Sequence, residues 1–137
     1  IVRKRKGDGW LGRLAPSFDH ASSLGRELND TDSKQNRECY LRELGVRKYV
    51  ERGRSPIFVT GEEKHGLAPM KLVEACLGLV TLASYFAKGL ELLDSLDSGK
   101  FEKILEEFPA YWMSDLAKEF AFSLLIETLN QLNHLRK

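Results

Sequence analysis

The sequence predicts a mostly α-helical protein that begins with a short β-hairpin. Three observations support this fold class. Apolar residues recur at helical spacing through most of the chain after residue 32, most densely over residues 70–96. A Gly-Asp-Gly turn at residues 7–9 separates two short strand-like runs. The length of 137 residues, 42% hydrophobic and 30% charged, is typical of one globular domain, so residues 1–137 are treated as one unit.

The predicted hairpin pairs residues 1–5 with residues 10–14. Gly7 and Gly9 favour a tight turn, because glycine adopts positive φ without a Cβ clash. Pro16 has no backbone N–H donor and suits the end of the second strand. A lone hairpin is only marginally stable in water, so we expect it to pack on other structure. Because the chain opens at Ile1, within a strand-like run, we expect it to be a piece of a longer protein.

The middle of the chain predicts an irregular stretch followed by a helix. Residues 15–30 are expected to be irregular or to form a short helical turn. Residues 29–32 form a cluster of capping residues, and a helix is predicted over residues 32–53, ending at Gly53. Charges along residues 37–52 alternate in sign, which is typical of a solvated face.

The apolar stretch over residues 70–96 predicts two helices or one bent helix that Pro69 begins. Proline is favoured in the first helical turn, whereas Gly78 and Gly89 weaken a single long helix. Residues 97–99 predict a break. Residues 101–108 then predict a short amphipathic helix that ends before Pro109.

The carboxy-terminal part predicts a central helix. Ser114 is a good N-cap, and Asp115 suits the first turn of the helix. The apolar residues that follow lie nearly all round the helix, which indicates burial among other elements. Tyr111 and Trp112 form an aromatic linker before this helix, and we expect them to contribute to the core.

Composition excludes several functional classes. The net charge of +1 argues against direct nucleic-acid binding, although residues 1–66 carry +4 and residues 67–137 carry −3. The apolar runs fall short of the roughly 18–20 residues that a membrane span needs. Cys39 and Cys76 have no CxxC spacing and are expected to be buried free thiols in a reducing, cytoplasmic compartment. His65 and His134 stand alone in the sequence and are expected to be solvated.

Asp19 is the candidate site residue. It follows the second strand-like run and lies beside His20, Ser22 and Ser23. Hard cations such as Mg²⁺ take carboxylate oxygens, usually from one or two side chains, together with phosphate oxygens and water. A carboxylate in this position also commonly stabilises a turn. On residue types alone both interpretations stay open, and His20 and the two serines have no assigned role beyond supporting the turn.

The segment Leu14–Gly25, with the sequence LAPSFDHASSLG, resembles a segment of HipA-like serine/threonine kinases. Weaker similarity to the helical lobe of that family extends over most of the chain. It is carried by Arg52-Gly53-Arg54-Ser55-Pro56, by Gly66-Leu67-Ala68-Pro69 and by the pattern from Trp112-Met113-Ser114 through Phe120, Leu124-Leu125 and Asn130.

The resemblance implies that the chain is the helical, carboxy-terminal part of a protein-kinase-like large lobe. It implies that Asp19 coordinates the magnesium bound to ATP, and that the parent is a toxin–antitoxin kinase with a protein substrate and a helix-turn-helix antitoxin partner. The family's phosphate-covering loop, nucleotide-binding lysine and catalytic loop precede this segment and are not among the 137 residues. We therefore expect the isolated chain to be inactive. The alternative is a non-catalytic helical interaction module, with Tyr111, Trp112 and the helix over 37–52 as contact surfaces.

Overall fold

The structure is a computed structural model that describes residues 2–7, 9–13, 24–32, 34–58, 60–62 and 64–136. The chain opens with strands β1 (Val2–Lys6) and β2 (Gly9–Arg13). They pair antiparallel, with Val2 opposite Arg13 and Lys6 opposite Gly9. Gly7, at the turn, has a φ of 59°. The elements that follow in the described chain are helical, and the predicted mostly α class is confirmed.

The helix predicted over residues 32–53 is two shorter helical pieces. Helix α1 (Arg37–Cys39) continues into a π-helical turn (Tyr40–Leu44), and α2 spans Val46–Arg52. The start at residue 32 was wrong because Asn36 is the N-cap: its side-chain oxygen accepts from the Cys39 amide at 2.7 Å. Gly45, with φ of 82°, interrupts the helix. The predicted end at Gly53 is confirmed.

The apolar stretch after Pro69 forms two helices, as predicted. Helix α3 (Pro69–Gly78) ends at Leu79, which has an extended backbone, and α4 spans Val80–Glu91. Gly89 lies inside α4 and does not interrupt it. A 3₁₀ turn (Leu92–Ser95) follows. Helices α3 and α4 pack on one another.

Helix α5 spans Ser98–Glu106. The break predicted at residues 97–99 lies at residues 96–97, and the helix predicted over 101–108 begins earlier, because Asp97 caps it: its carboxylate accepts from the Gly99 amide at 2.9 Å. The last helix, α6 (Asp115–His134), begins where predicted, and the Ser114 hydroxyl accepts from the Ala117 amide at 3.1 Å. None of the helices in the described ranges is long and apolar enough to cross a bilayer.

The core lies along α6, as its apolar composition predicted. Helices α1, α2 and α5 all pack on it. Phe120, which is fully buried, forms an aromatic cluster with Tyr40 and Tyr49, with ring centroids 6.2 and 5.3 Å from its own. Edge-on aromatic pairs of this kind add to the stabilisation from area burial. The core therefore joins the last helix to the segment around residues 40–49.

Candidate functional site

The predicted site residues Asp19, His20, Ser22 and Ser23 lie outside the described residues. The described residues resume at Leu24, so they include Leu24 and Gly25, the last two residues of the segment that resembles the kinase family. What the structure shows of this segment is therefore how its carboxy-terminal end, at Gly25, contacts the helices.

Gly25 is held against Phe120, in the second turn of α6. Its φ is 72°, a conformation that L side chains rarely adopt. A Cβ atom on Gly25 would lie 2.4 Å from Cε1 of Phe120, closer than real carbon atoms approach. The neighbouring Leu24 also has a positive φ, 61°. Glycine is therefore required at position 25 both by the backbone and by the core.

Arg37 binds the same turn from the other side. Its Nη2 donates to the Gly25 carbonyl at 3.0 Å, and its Nη1 donates to Asp30 Oδ1 at 2.6 Å. The Arg37 side chain is only 14% exposed, so these bonds compensate for burying its charge. This contradicts the expectation that the charges over 37–52 form a solvated face throughout. A charge pattern alone does not reveal which cation turns inward.

Asp30 connects this turn to the start of α6. Its Oδ2 accepts from the Ser114 hydroxyl at 2.6 Å, and Ser114 also caps α6. The hydrogen bond from Ser114, together with the Arg37 guanidinium, holds the pKa of the Asp30 carboxyl below its ordinary value, against the opposing effect of burial. The sequence marked Asp30 only as one of several capping residues. Its contact with Ser114 joins positions too far apart in the chain for a local pattern to indicate it.

Tyr49 makes a further attachment. Its hydroxyl donates to the carboxylate of Glu27, a residue of the same turn. Burial, and then the hydrogen bond to Glu27, raise the pKa of the Tyr49 hydroxyl. Residues 24–30 are thus held by α6, by α2 and by Arg37 at the start of α1.

A cavity of about 830 Å³ lies elsewhere, between α2, α3, the loop that joins them and the end of α6. Gly66 closes this loop, since a Cβ there would lie 1.7 Å from the Ser55 carbonyl oxygen. The described residues that line the cavity are Arg47, Val50, Glu51, Arg54, His65, Gly66, Leu67, Ala68, Met70, Lys71, Glu74, Glu127, Asn130, Gln131, His134 and Leu135.

The charges in this cavity are largely matched with one another. Arg47 Nε donates to Glu51 Oε1, and Lys71 Nζ donates to Glu74 Oε2, each at 2.8 Å. The described lining residues include no serine, threonine or cysteine, so no hydroxyl or thiol nucleophile faces the cavity from them. The cavity offers hydrogen-bonding groups to a polar ligand rather than an assembled catalytic set.

His65 and His134 both line this cavity, which the sequence did not indicate. The ring Nδ1 of His134 lies 2.7 Å from the Asn130 carbonyl oxygen. Across the described residues, no three His, Cys, Asp or Glu side chains converge in a group that could hold a metal ion. The two histidines are therefore brought together as part of a polar surface and not as a metal centre.

The two cysteines and the aromatic linker also bear on the earlier predictions. Both thiols are free, but only Cys76 is buried, while Cys39 is partly exposed.

Tyr111 and Trp112 are 81% and 72% exposed, so their assignment to the core was wrong. They contact one another, with ring centroids 5.7 Å apart and planes at 76°. Aromatic content alone could not distinguish a core turn from an exposed one.

Searches of protein-family models, of curated proteins and of solved structures found no match to this chain.

Proposed function

We propose that this chain is the carboxy-terminal part of a HipA-like serine/threonine kinase, in which Asp19 coordinates the magnesium ion bound to ATP. The observation that carries the proposal is the segment Leu14–Gly25, whose residues resemble that family's segment in order. The proposal extends to a toxin–antitoxin role, a cytoplasmic location, a protein substrate and a helix-turn-helix antitoxin partner. The mostly helical fold is compatible with the helical part of a large kinase lobe.

The donor chemistry at Asp19 fits magnesium. A carboxylate oxygen is a hard ligand, and one or two carboxylates with phosphate oxygens and water complete the usual coordination. The metal neutralises charge on the phosphates during transfer. The fixed exit of the segment at Gly25 supports the proposal, because a coordinating carboxylate must be held in position by a rigid surround.

The isolated chain is expected to bind divalent cations weakly at Asp19. Mn²⁺ suits the same oxygen ligands as Mg²⁺, and its paramagnetism broadens the NMR signals of nearby amides. A Mn²⁺ titration should broaden amide signals next to Asp19 first. The Asp19→Asn variant should lose this broadening, whereas Asp32→Asn, which removes an exposed carboxylate later in the chain, should keep it. Equal broadening in wild type and Asp19→Asn would exclude the metal role.

The coding sequence upstream of Ile1 gives a second test. A kinase parent should encode an Asp-Arg-His type catalytic loop shortly before this residue. In that longer protein, Asp19→Ala should abolish phosphoryl transfer and leave the helical core folded. A native start at or near Ile1 would instead favour the alternative function.

That alternative is a non-catalytic helical interaction module, and the exposure of Tyr111 and Trp112 favours it. Large aromatic side chains are common anchors of protein interfaces. A photo-crosslinking residue at position 112 should capture one recurring protein in the source cell. The same residue at Tyr85, which is similarly exposed but lies on α4, serves as the control. Identical capture at both positions would exclude a specific contact surface at Trp112.

A further inference from the structure

An exposed apolar surface begins in the last turn of α5 and continues through the turn that leads to α6. It consists of Ile104, Phe108, Tyr111 and Trp112, and we name it the 104–112 surface. All four side chains are exposed to solvent, and the exposed fraction is 54% for Ile104 and 40% for Phe108. They are close in sequence, since α5 ends at Glu106 and the backbone turns through Pro109, whose carbonyl accepts from the Trp112 amide at 2.9 Å. Tyr111 and Trp112 are in ring contact, and exposed apolar side chains grouped along one short segment are a feature of interaction sites.

The charges around this surface are predominantly acidic. Residues 97–115 contain five acidic and two basic residues, which gives a net charge of −3 in a chain whose overall charge is +1. The amino-terminal half of the chain carries the compensating positive charge. A partner that covers the 104–112 surface therefore gains electrostatically if it is basic.

Two of the acidic residues lie where their own helix disfavours them. Glu106 is the last residue of α5 and Glu107 is its C-cap. The carboxy-terminal end of a helix carries partial negative charge, so it stabilises cations and destabilises anions. Neither glutamate side chain forms an ion pair or a hydrogen bond with any residue that the structure describes. Lys103 supplies one positive charge in the last turn of α5, so a further cation placed there would offset the remaining excess of negative charge.

The aromatic pair, Tyr111 and Trp112, favours the guanidinium group of arginine as the bound cation. Trp112 is the ring type that attracts cations most strongly, and guanidinium groups stack on it and on Tyr. Arginine also pairs with carboxylates through two parallel hydrogen bonds. An arginine side chain can therefore stack on an exposed ring and also pair with an exposed carboxylate. An acidic or purely aliphatic partner cannot make both interactions.

We propose that the 104–112 surface binds a basic, arginine-containing segment of a partner protein that also carries apolar side chains. This inference rests on the interaction-module function and is independent of the role of Asp19. Arginine covers the aromatic pair and the end of α5, and the apolar side chains of the segment cover Ile104 and Phe108.

The test uses the full chain and a fluorescein-labelled synthetic amphipathic peptide of arginine and leucine, followed by fluorescence polarisation. A second peptide with glutamate in place of arginine is the charge control. Trp112→Ala should weaken binding of the arginine peptide about tenfold, as expected for a central aromatic anchor. Tyr85→Ala removes an equally exposed aromatic residue of α4 and should leave the affinity unchanged.

The charge contribution is measured separately. Replacing both glutamates by Glu106→Gln and Glu107→Gln should weaken binding about two- to fivefold and reduce its dependence on salt, the scale of exposed ion pairs. Glu38→Gln, an exposed carboxylate on α1, should change neither quantity. Circular dichroism of each variant establishes that the helices are retained.

Several outcomes would overturn the proposal. If neither peptide binds, or if Trp112→Ala and Tyr85→Ala behave alike, the 104–112 surface is not the site. If both peptides bind through Trp112 with equal affinity, the interaction module stands and the basic partner is excluded. If sedimentation velocity shows self-association that Trp112→Ala abolishes, the occupant is a second copy of this chain.

Discussion

Helix α6 and the segment from α4 to α5 have similar apolar content, but the second segment leaves more of its large apolar side chains in water, although its Leu90 and Leu105 are buried. Phe120 and Ala121 in α6 are fully buried, and helices from three other parts of the chain pack on this helix. In α4, Val80 is 96% exposed and Tyr85 is 76% exposed. Burial of apolar area stabilises a fold, whereas apolar area left in water contributes nothing to stability and is available to a partner. The comparison separates residues that maintain the fold from residues that can bind.

The largest expected effect is at Phe120, the buried ring in the second turn of α6. Phe120→Ala should lower the free energy of unfolding by about 3–5 kcal/mol, because it removes a fully buried ring from an aromatic cluster and leaves a cavity. Urea unfolding measures this change. Tyr85→Ala should change stability by about 0.5 kcal/mol or less, as is usual for exposed positions.

Should Phe120→Ala fail to fold, Phe120→Leu retains most of the volume, and its cost should stay below about 1.5 kcal/mol. Comparable losses for the variants at positions 120 and 85 would show that the two regions do not differ as described.

The next effect is at the attachment of the family-like segment. Gly25→Ala should destabilise the fold by about 1–3 kcal/mol, because alanine disfavours a φ of 72° and its Cβ would collide with Phe120. Gly89→Ala is the matched control, since Gly89 lies within α4 with open space around it. This control should stabilise the protein by about 0.5–1 kcal/mol.

Thermal or urea unfolding of both glycine variants measures whether the two substitutions change stability in opposite directions. A neutral or stabilising Gly25→Ala would contradict the close packing of this turn against α6.

The smallest of the three effects is at Asp30, whose side chain is about one-third exposed. Asp30→Asn should lower the free energy of unfolding by about 1 kcal/mol near neutral pH, because its bonds to Ser114 and Arg37 become weaker. The effect is this small because solvent screens the partly exposed carboxylate. Folding lowers the pKa of Asp30, so its stabilisation is present above the unfolded-state pKa and is lost as the pH falls through the folded-state value.

Urea unfolding of wild type and Asp30→Asn across the acid range tests this sign. The stability difference between the two proteins should shrink as the pH falls below about 4. A difference that does not depend on pH would show that the Asp30 carboxylate contributes through shape alone.

Local sequence signals predicted the elements whose causes are local. Ser114 caps α6, Pro69 begins α3 and the apolar stretch divides near Gly78, because capping, proline geometry and helix propensity act over a few residues. The start of α1 was misplaced, since Asp30 and its neighbours offered plausible caps and the choice of Asn36 depends on contacts made by the preceding turn. The exposure of Tyr111 and Trp112 was missed because aromatic residues suit both cores and interfaces.

Asp19 and the cavity differ in how far the sequence alone could predict them. Asp19 was identified from residue types and from resemblance to one family, and its metal role stays a prediction. The cavity that His65 and His134 share could not be predicted, because it forms where α2, α3, their connecting loop and the end of α6 meet. The two segments that bring these histidines together are distant in the chain.

Local sequence patterns were enough to predict that the protein is mostly helical, where α3 and α6 begin, where α2 ends, and that α6 is apolar nearly all round. These follow from periodicity and capping, which are properties of neighbouring residues. Only the tertiary structure decided that Gly25 packs on Phe120, that Asp30 binds Ser114 and that the aromatic pair before α6 faces solvent. Such contacts join residues far apart in the chain, and the gain from burying one surface decides which other surface stays exposed.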